Sequence, residues 1–397
     1  MITTPQGLDL RSRATPFHER TAAANILNHW HNWQGFTVAD AYFDAELEYF
    51  AVRNATGVFD LSPMTKYRIG GPDALAYLDR LMTRDMTRIK PGRVAYAVWC
   101  NDTGKVIDDG TVLHLADGDY RLCSQEYHLE WLTAAALGFD VRIEDETDEV
   151  AALAVQGPTS CSVLQQLGVA GIADLKPFGL LHTTVDNIAL TVSRTGFTGD
   201  LGYELWVDPE HALALWDRLF EAGRLHGIRP IGGDALEMAR IEAGFIQAGK
   251  DFLPADRIVR PGRARSPFEL GLGWLVHLDK PNFNGRRALA REHETGSRWQ
   301  FVQLLVEGNK PPKDAYLYGR GKAPVGFVTS CLWSPVAKQN IALGTVERPR
   351  GKPHGILTAE IDYQREMHWS TVRAVCEVVE GPFFDPPRRR QTPPAPY

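Results

Sequence analysis

The apolar run Tyr96-Ala97-Val98-Trp99-Cys100 and the β-branched pair Val106-Ile107 flank the polar turn Asn101-Asp102-Thr103-Gly104-Lys105, a pattern that predicts an antiparallel hairpin. The second strand opens Val106-Ile107-Asp108-Asp109-Gly110, so two carboxylates stand side by side. Neighbours on a strand face opposite sides, so one acid can enter a pocket while the other stays an ordinary surface acid. Apolar residues at helical spacing predict helices over 74–82, behind an N-capping Asp73, and over 127–137, 161–167, 209–226 and 232–244. Strands fall between them, at 58–62, 66–70, 120–123, 141–144, 150–155, 181–185 and 189–193. From Trp299 the pattern becomes short β-runs at regular intervals, which suggests a small β-barrel or jelly-roll-like unit. The Arg- and Pro-rich stretch 255–267 reads as a loop, and the tail 386–397, rich in Pro and Arg, as disordered.

Composition narrows the class. With 397 residues and 44% hydrophobic content, the chain can bury a large core and divides into about two or three domains. Charged residues make up 23% and the net charge is -6, which gives no reason to expect nucleic acid or a membrane surface as partner. The 5 cysteines (Cys100, Cys123, Cys161, Cys331 and Cys376) lack C-x-x-C spacing and read as reduced thiols. The 12 histidines show no metal-ligand pairing, so no metal is expected. Without an apolar leader or a long apolar run, the expectation is a soluble cytoplasmic protein, monomer or homodimer.

Two segments carry candidate chemistry. His29-Trp30-His31-Asn32-Trp33-Gln34-Gly35-Phe36 concentrates flat rings and imidazoles, which suits a binding wall; a packed helix with exposed imidazoles is the plainer alternative. Arg194-Thr195-Gly196-Phe197-Thr198-Gly199-Asp200-Leu201-Gly202-Tyr203-Glu204 holds three glycines that let backbone approach a ligand, and Glu204 re-enters a strand after them.

These segments, with Gly57-Val58-Phe59-Asp60-Leu61-Ser62, Gln156-Gly157-Pro158, Arg240-Ile241-Glu242-Ala243-Gly244, Pro267-Phe268-Glu269-Leu270-Gly271-Leu272 and Val328-Thr329-Ser330, resemble the folate-dependent aminomethyltransferase (glycine cleavage T-protein) family. The motifs lie in family order over 15–345. The resemblance implies an α+β, three-domain cloverleaf with tetrahydrofolate in a central hole. Its domains would be 1–55 with 148–245, 56–147 with 246–290, a C-terminal β-barrel at 296–385, and the tail. It also implies that Asp109 is the folate-facing acid and Glu204 the pterin anchor, with Tyr96, Met64, Trp274 and Phe197 lining the site. Asp108 keeps the surface reading. The chain departs from the family at Pro63, at Phe197 where a Tyr is usual, and at Leu236-Glu237 where T-proteins carry Arg-Asp. The Lys-Gly-Cys-Tyr signature of folate-binding repair proteins is also missing, since Phe245 to Lys250 contains no cysteine.

A kept folate side with a rebuilt donor side resembles the tetrahydrofolate-dependent demethylases of the family. The leading expectation is methyl transfer from an aryl methyl ether, such as a methoxybenzoate, to N5 of tetrahydrofolate, giving a phenol and 5-methyltetrahydrofolate. Asp109 would orient the folate and support charge on N5. His31 would donate a proton to the leaving oxygen, with Tyr203 as second candidate. His29, Trp30, His31 and Trp33 would hold the aromatic acid. The alternatives are aminomethyl transfer from a glycine- or sarcosine-like donor, demethylation of a sulfonium such as dimethylsulfoniopropionate, and non-catalytic folate binding.

Overall fold

The computed structural model describes residues 12–395; the N-terminal stretch read above for a leader, 1–11, and the last two tail residues lie outside them. Three β-layers organise the chain. The first is a six-stranded sheet in the order Leu180–Val185, Ile188–Ser193, Gly202–Val207, Ala151–Gln156, Thr56–Asp60, Ile228–Pro230, with the last pair parallel. Strand alternation turns Leu153, Val155, Val192, Tyr203 and Leu205 toward helices Ser160–Leu167 and Ala212–Gly223, where they share one core. Ala152, Ala154, Phe59 and Trp206 face the other way.

The second layer is an antiparallel five-stranded sheet in the order Arg93–Cys100, Val106–Ala116, Asp119–Ser124, Thr65–Gly70, Arg142–Asp145. Helices Ala74–Leu81 and Leu129–Ala135 cover one of its faces. Asp73 does not cap its own helix; its carboxylate accepts from the backbone N–H of Asp140 at 2.8 Å and so ties the helix start to the sheet edge. The strand Thr56–Asp60, expected in this unit, pairs instead with Ala151–Gln156 and Ile228–Pro230 in the first sheet. All its residues are buried, as a central strand requires, and no local pattern says which sheet will take it.

The two sheets meet face to face. Phe59, Ala154 and Trp206 pack with Val94, Leu113 and Cys123 in one apolar cluster, whose partly exposed margin is formed by Trp33, Met64, Leu236 and Met238. The aromatic segment is a strand, His29–Trp33, paired with Phe36–Ala41, so the helical alternative is wrong.

Residues 299–379 close into a six-stranded barrel, a closed form that removes exposed sheet edges, and the jelly-roll alternative is set aside. Helix Gly233–Glu242 docks the barrel through buried charge. Glu242 accepts from Tyr49 (2.7 Å), Arg53 (2.8 Å) and Ser334 of the barrel (2.5 Å). Arg240, fully buried, donates to Glu237 (2.6 Å), Asp251 (2.5 Å) and barrel Ser330 (2.7 Å). Each buried charge here has a partner, which is what makes the burial tolerable.

The tail is not disordered over its described part, 386–395. Arg388 makes two contacts with the buried Asp200, at 2.6 and 2.8 Å, and Arg194 donates to Gln391 O (2.5 Å) and Thr392 Oγ1 (2.8 Å). Arg389 lies 5.0 Å over the Phe245 ring. The tail's polarity gives it no core of its own; the order comes from partners more than a hundred residues away in sequence. Among the described residues, no helix is long and apolar enough to cross a membrane, and no group of His, Cys, Asp and Glu could hold a metal ion.

Candidate functional site

The hairpin sets the first carboxylate. Val98 pairs with Asp109, and Tyr96 with Thr111 on the same two strands, which brings the Tyr96 hydroxyl within 2.6 Å of Asp109 Oδ2, to which it donates. The next residue, Gly110, has no room for a side chain: a Cβ there would sit 2.1 Å from the Cys123 carbonyl. Tyr96 and Asp109 are surrounded by protein yet keep accessible surface, so they line a recess. Burial, and then the negative charge of Asp108, pushes the Asp109 carboxyl up to about 7; the Tyr96 hydrogen bond acts in the opposite direction. Burial and the same carboxylate raise the Tyr96 phenol well above its ordinary value.

Asp108 is not a surface acid. It is fully buried on the opposite face of the strand, where it contacts His128 Nε2 at 3.0 Å and accepts from the backbone N–H of Glu126 (3.2 Å) and Asp109 (2.9 Å). Of the pair, only Asp109 faces the recess.

The glycine-rich loop sets the second carboxylate. A Cβ on Gly196 or Gly202 would lie 1.9 or 2.2 Å from Gln156 Oε1, so only glycine lets the loop fold over that side chain. Glu204 Oε2 accepts from Thr195 (2.6 Å) and Ser193 (3.2 Å), while Oε1 meets no donor among the described residues. Burial raises its pKa, with the two hydroxyls opposing. Glu204 in turn acts electrostatically on Cys123 of the second sheet, so the carboxylate-bearing faces of the two domains are neighbours.

The other expected wall residues are spread around this interface. Met64 sits at the margin of the shared core. Trp274 is 62% exposed, its ring 6.1 Å from that of Tyr96. Phe197 stacks on Phe245 with ring centroids 5.6 Å apart, next to the tail's Arg389.

The aromatic strand divides its residues between two sides. His31 Nδ1 lies 2.8 Å from Asp40 Oδ1, an ion-pair distance without hydrogen-bond alignment, and His29 Nε2 lies 3.5 Å from the same carboxylate. Trp33 packs on Phe59 at 6.2 Å between centroids. Trp30 instead packs on His18 at 5.4 Å and donates its N–H to Asn28 at 2.8 Å. A clamp built from Trp30 and His31 together is therefore not formed. His31 reaches the start of helix Gly233–Glu242, where a Cβ on Gly233 would be 3.3 Å from its ring.

Tyr203 is not a proton donor to this recess. It precedes Glu204 on the strand and points the opposite way, fully buried in the helix-covered core with its hydroxyl beside Cys161. Sequence reasoning also missed His128, Asp256 and Asp251, which carry no motif, and it gave Arg240 no role beyond its place in a family motif. The tail arginines were noticed only as composition.

The donor set suits tetrahydrofolate. An accessible carboxylate oxygen without a donor at Glu204 matches the paired N–H groups of a pterin, and on the neighbouring sheet Asp109 offers a carboxyl pushed up to about 7. Comparison with known proteins agrees. The GCVT N-terminal domain model matches residues 17–280, and the glycine cleavage T-protein C-terminal barrel domain matches 300–385. An aminomethyltransferase of Desulfitobacterium hafniense (strain Y51) is 32% identical over 340 residues, covering 84% of this chain and 90% of the relative. A trimethylamine-oxide aldolase of Ruegeria pomeroyi is 37% identical over 361 residues, 87% of this chain, which spans 44% of that longer protein. The crystal structure of the glycine cleavage system aminomethyltransferase T from Bartonella henselae superposes with a TM-score of 0.83 at 23% identity, covering 94% of this chain and 98% of that one, and shows the same fold. The chain belongs to the glycine cleavage T-protein (GCVT) family, whose members are tetrahydrofolate-dependent one-carbon transferases.

Proposed function

We propose that this chain moves a one-carbon unit at the oxidation level of formaldehyde from an aminomethyl donor to tetrahydrofolate, releasing an amine. The observation that carries the reading is the charge on the donor side. Asp40 sits against both His29 and His31, and Asp234 stands close enough for Asp40 to push up its pKa, second to burial and opposed by His29, His31 and Lys250. Paired carboxylates attract an ammonium donor and repel a carboxylated aromatic or a departing phenolate. The names of the relatives, aminomethyltransferase and trimethylamine-oxide aldolase, point to amine chemistry as well.

Bound tetrahydrofolate supplies the nucleophilic nitrogens N5 and N10 that accept the carbon. Glu204 would hold the pterin through its free oxygen, while Thr195 and Ser193 fix the other. Asp109, partly ionised at neutral pH, takes the proton that an attacking N–H loses and can return it to the departing amine. Tyr96 holds that carboxylate in place at 2.6 Å. The apolar margin of Met64, Leu236 and Met238 excludes water from the reacting atoms.

A second reading, methyl transfer from an aryl methyl ether, is favoured by Trp33, which keeps part of its ring accessible and whose indole N–H has no partner among the described residues. Incubation with tetrahydrofolate and, separately, an aminomethyl thioether, a methoxybenzoate and a dimethylsulfonium compound decides between them by mass of the folate product. The proposal expects 5,10-methylenetetrahydrofolate, ammonia and the free thiol from the first donor, above the rate with Asp109→Asn. Formation of 5-methyltetrahydrofolate from the methoxybenzoate or the sulfonium, with no turnover of the first donor, overturns it.

A further inference from the structure

We infer that His128, held between Asp108 and Asp256, is a positioning residue that keeps Asp108 ionised and thereby sets the protonation of Asp109, a role that rests on the proton transfer assigned to Asp109 above. The geometry is specific. His128 is 3% exposed, with Nε2 3.0 Å from Asp108 Oδ2 and Nδ1 3.6 Å from Asp256 Oδ2. Its backbone N–H donates to the Tyr67 hydroxyl at 2.6 Å, and the buried Trp99 indole meets the ring edge-on at 5.8 Å between centroids. The ring is thus held by its Nε2 contact with Asp108, while Nδ1 stands at ion-pair distance from Asp256 without hydrogen-bond alignment.

The charges around it are few. Among the described residues, the groups on Asp108 are the His128 ring and two backbone N–H groups; burial raises the Asp108 carboxyl above its ordinary value, and His128 is the cation that opposes this. Asp109 faces Tyr96 from the neighbouring strand, Asp108 from its own strand and Asp251 from the segment after helix Gly233–Glu242; none of these is a cation. Asp256 is influenced by Arg257, which also pairs with Glu126 at 2.5 Å. The segment carrying Asp256 is pinned to the acid-bearing strand by the Ala255 N–H to Val106 carbonyl bond of 2.9 Å. Burial opposes charge on His128, yet the attraction of Asp108 and Asp256 outweighs it and raises its pKa. Asp108's negative charge is then the second cause, after burial, of the elevated Asp109 carboxyl.

The sign follows. Without the imidazolium, Asp108 takes up a proton in its dry site, Asp109 loses its negative neighbour, and its titration moves down toward the ordinary carboxylate range. The test is the pH dependence of kcat/KM, and of tetrahydrofolate affinity followed by tryptophan fluorescence, in the full-length protein. His128→Gln is expected to move the Asp109 inflection down by about one unit or more, a tenfold change in the protonated fraction. His128→Lys, which restores a cation, is expected to keep it near the wild-type position. Asp256→Asn, altering a side chain that is 27% exposed, is expected to move it in the same direction by less, and serves where His128→Gln does not fold. An inflection that stays put or rises in His128→Gln, or a Lys variant that tracks the Gln variant, overturns the inference. The affinity measurement needs no donor, so it tests the inference even where the proposed donor fails.

Discussion

Replacing Glu204 by Gln sets two properties of the protein against each other. In the wild type, Oε2 accepts from Thr195 at 2.6 Å and Ser193 at 3.2 Å, and Oε1 is the open acceptor. Glutamine keeps the shape but turns one acceptor into a donor. If the amide N–H groups face the hydroxyls, those must reorient; if they face the pterin, donor opposes donor. Either way one charge-assisted hydrogen bond is lost, worth about 1.5–3 kcal/mol, so the Kd for tetrahydrofolate rises about 10- to 150-fold. Stability moves the other way. Burial raises the Glu204 pKa in the fold above its unfolded value, so its contribution is fully present below the unfolded pKa and is lost as pH rises through the folded one. At alkaline pH the ionised carboxylate therefore costs stability that glutamine does not, and Tm of the ligand-free variant rises; at acidic pH the difference vanishes. Calorimetric titration with tetrahydrofolate and melting curves at the two pH values measure both. A Kd within about threefold of wild type, or a Tm that falls at alkaline pH, refutes the reasoning.

Asp109→Asn should lower turnover about 10²- to 10⁴-fold and abolish the inflection of kcat/KM near 7; a retained inflection assigns it to another group. Arg240→Met leaves Asp251 buried without its 2.5 Å partner and should cost about 3–5 kcal/mol in denaturant unfolding; a loss under about 1 kcal/mol contradicts the docking role. Arg388→Ala should cost less, about 1–3 kcal/mol, because Arg53 still stands 3.9 Å from Asp200, and should make the tail more susceptible to proteolysis. Tyr203→Phe should keep wild-type turnover, and a large loss would return the phenol to the chemistry.

Tyr203 and Glu204 show how much of the site local sequence carries. Strand alternation tells that adjacent side chains diverge, and the glycines before them mark a loop, but nothing local says which face the helices will cover. The same holds for Asp108 and Asp109, where the surface reading of Asp108 failed because His128, 20 positions on, supplies the partner that makes burial possible. The tail failed for the same reason: polar composition predicts no core, yet Asp200 and Arg194 order it from outside.

By itself the sequence determined the hairpin at Asn101–Lys105, the amphipathic helices, the β-rich C-terminal unit and the family, since these follow from periodicity, turn chemistry and motif order within short windows. The tertiary structure decided what depends on distant partners. It assigned Thr56–Asp60 to the first sheet, split the aromatic strand between Asp40 and His18, and enclosed Asp108 with His128 and Asp256. Burial and the charge of a neighbour set a pKa, and neither is a property of the residue that carries it. The carboxyl near neutrality at Asp109 therefore belongs to the assembled fold, although the aspartate itself could be picked from the chain.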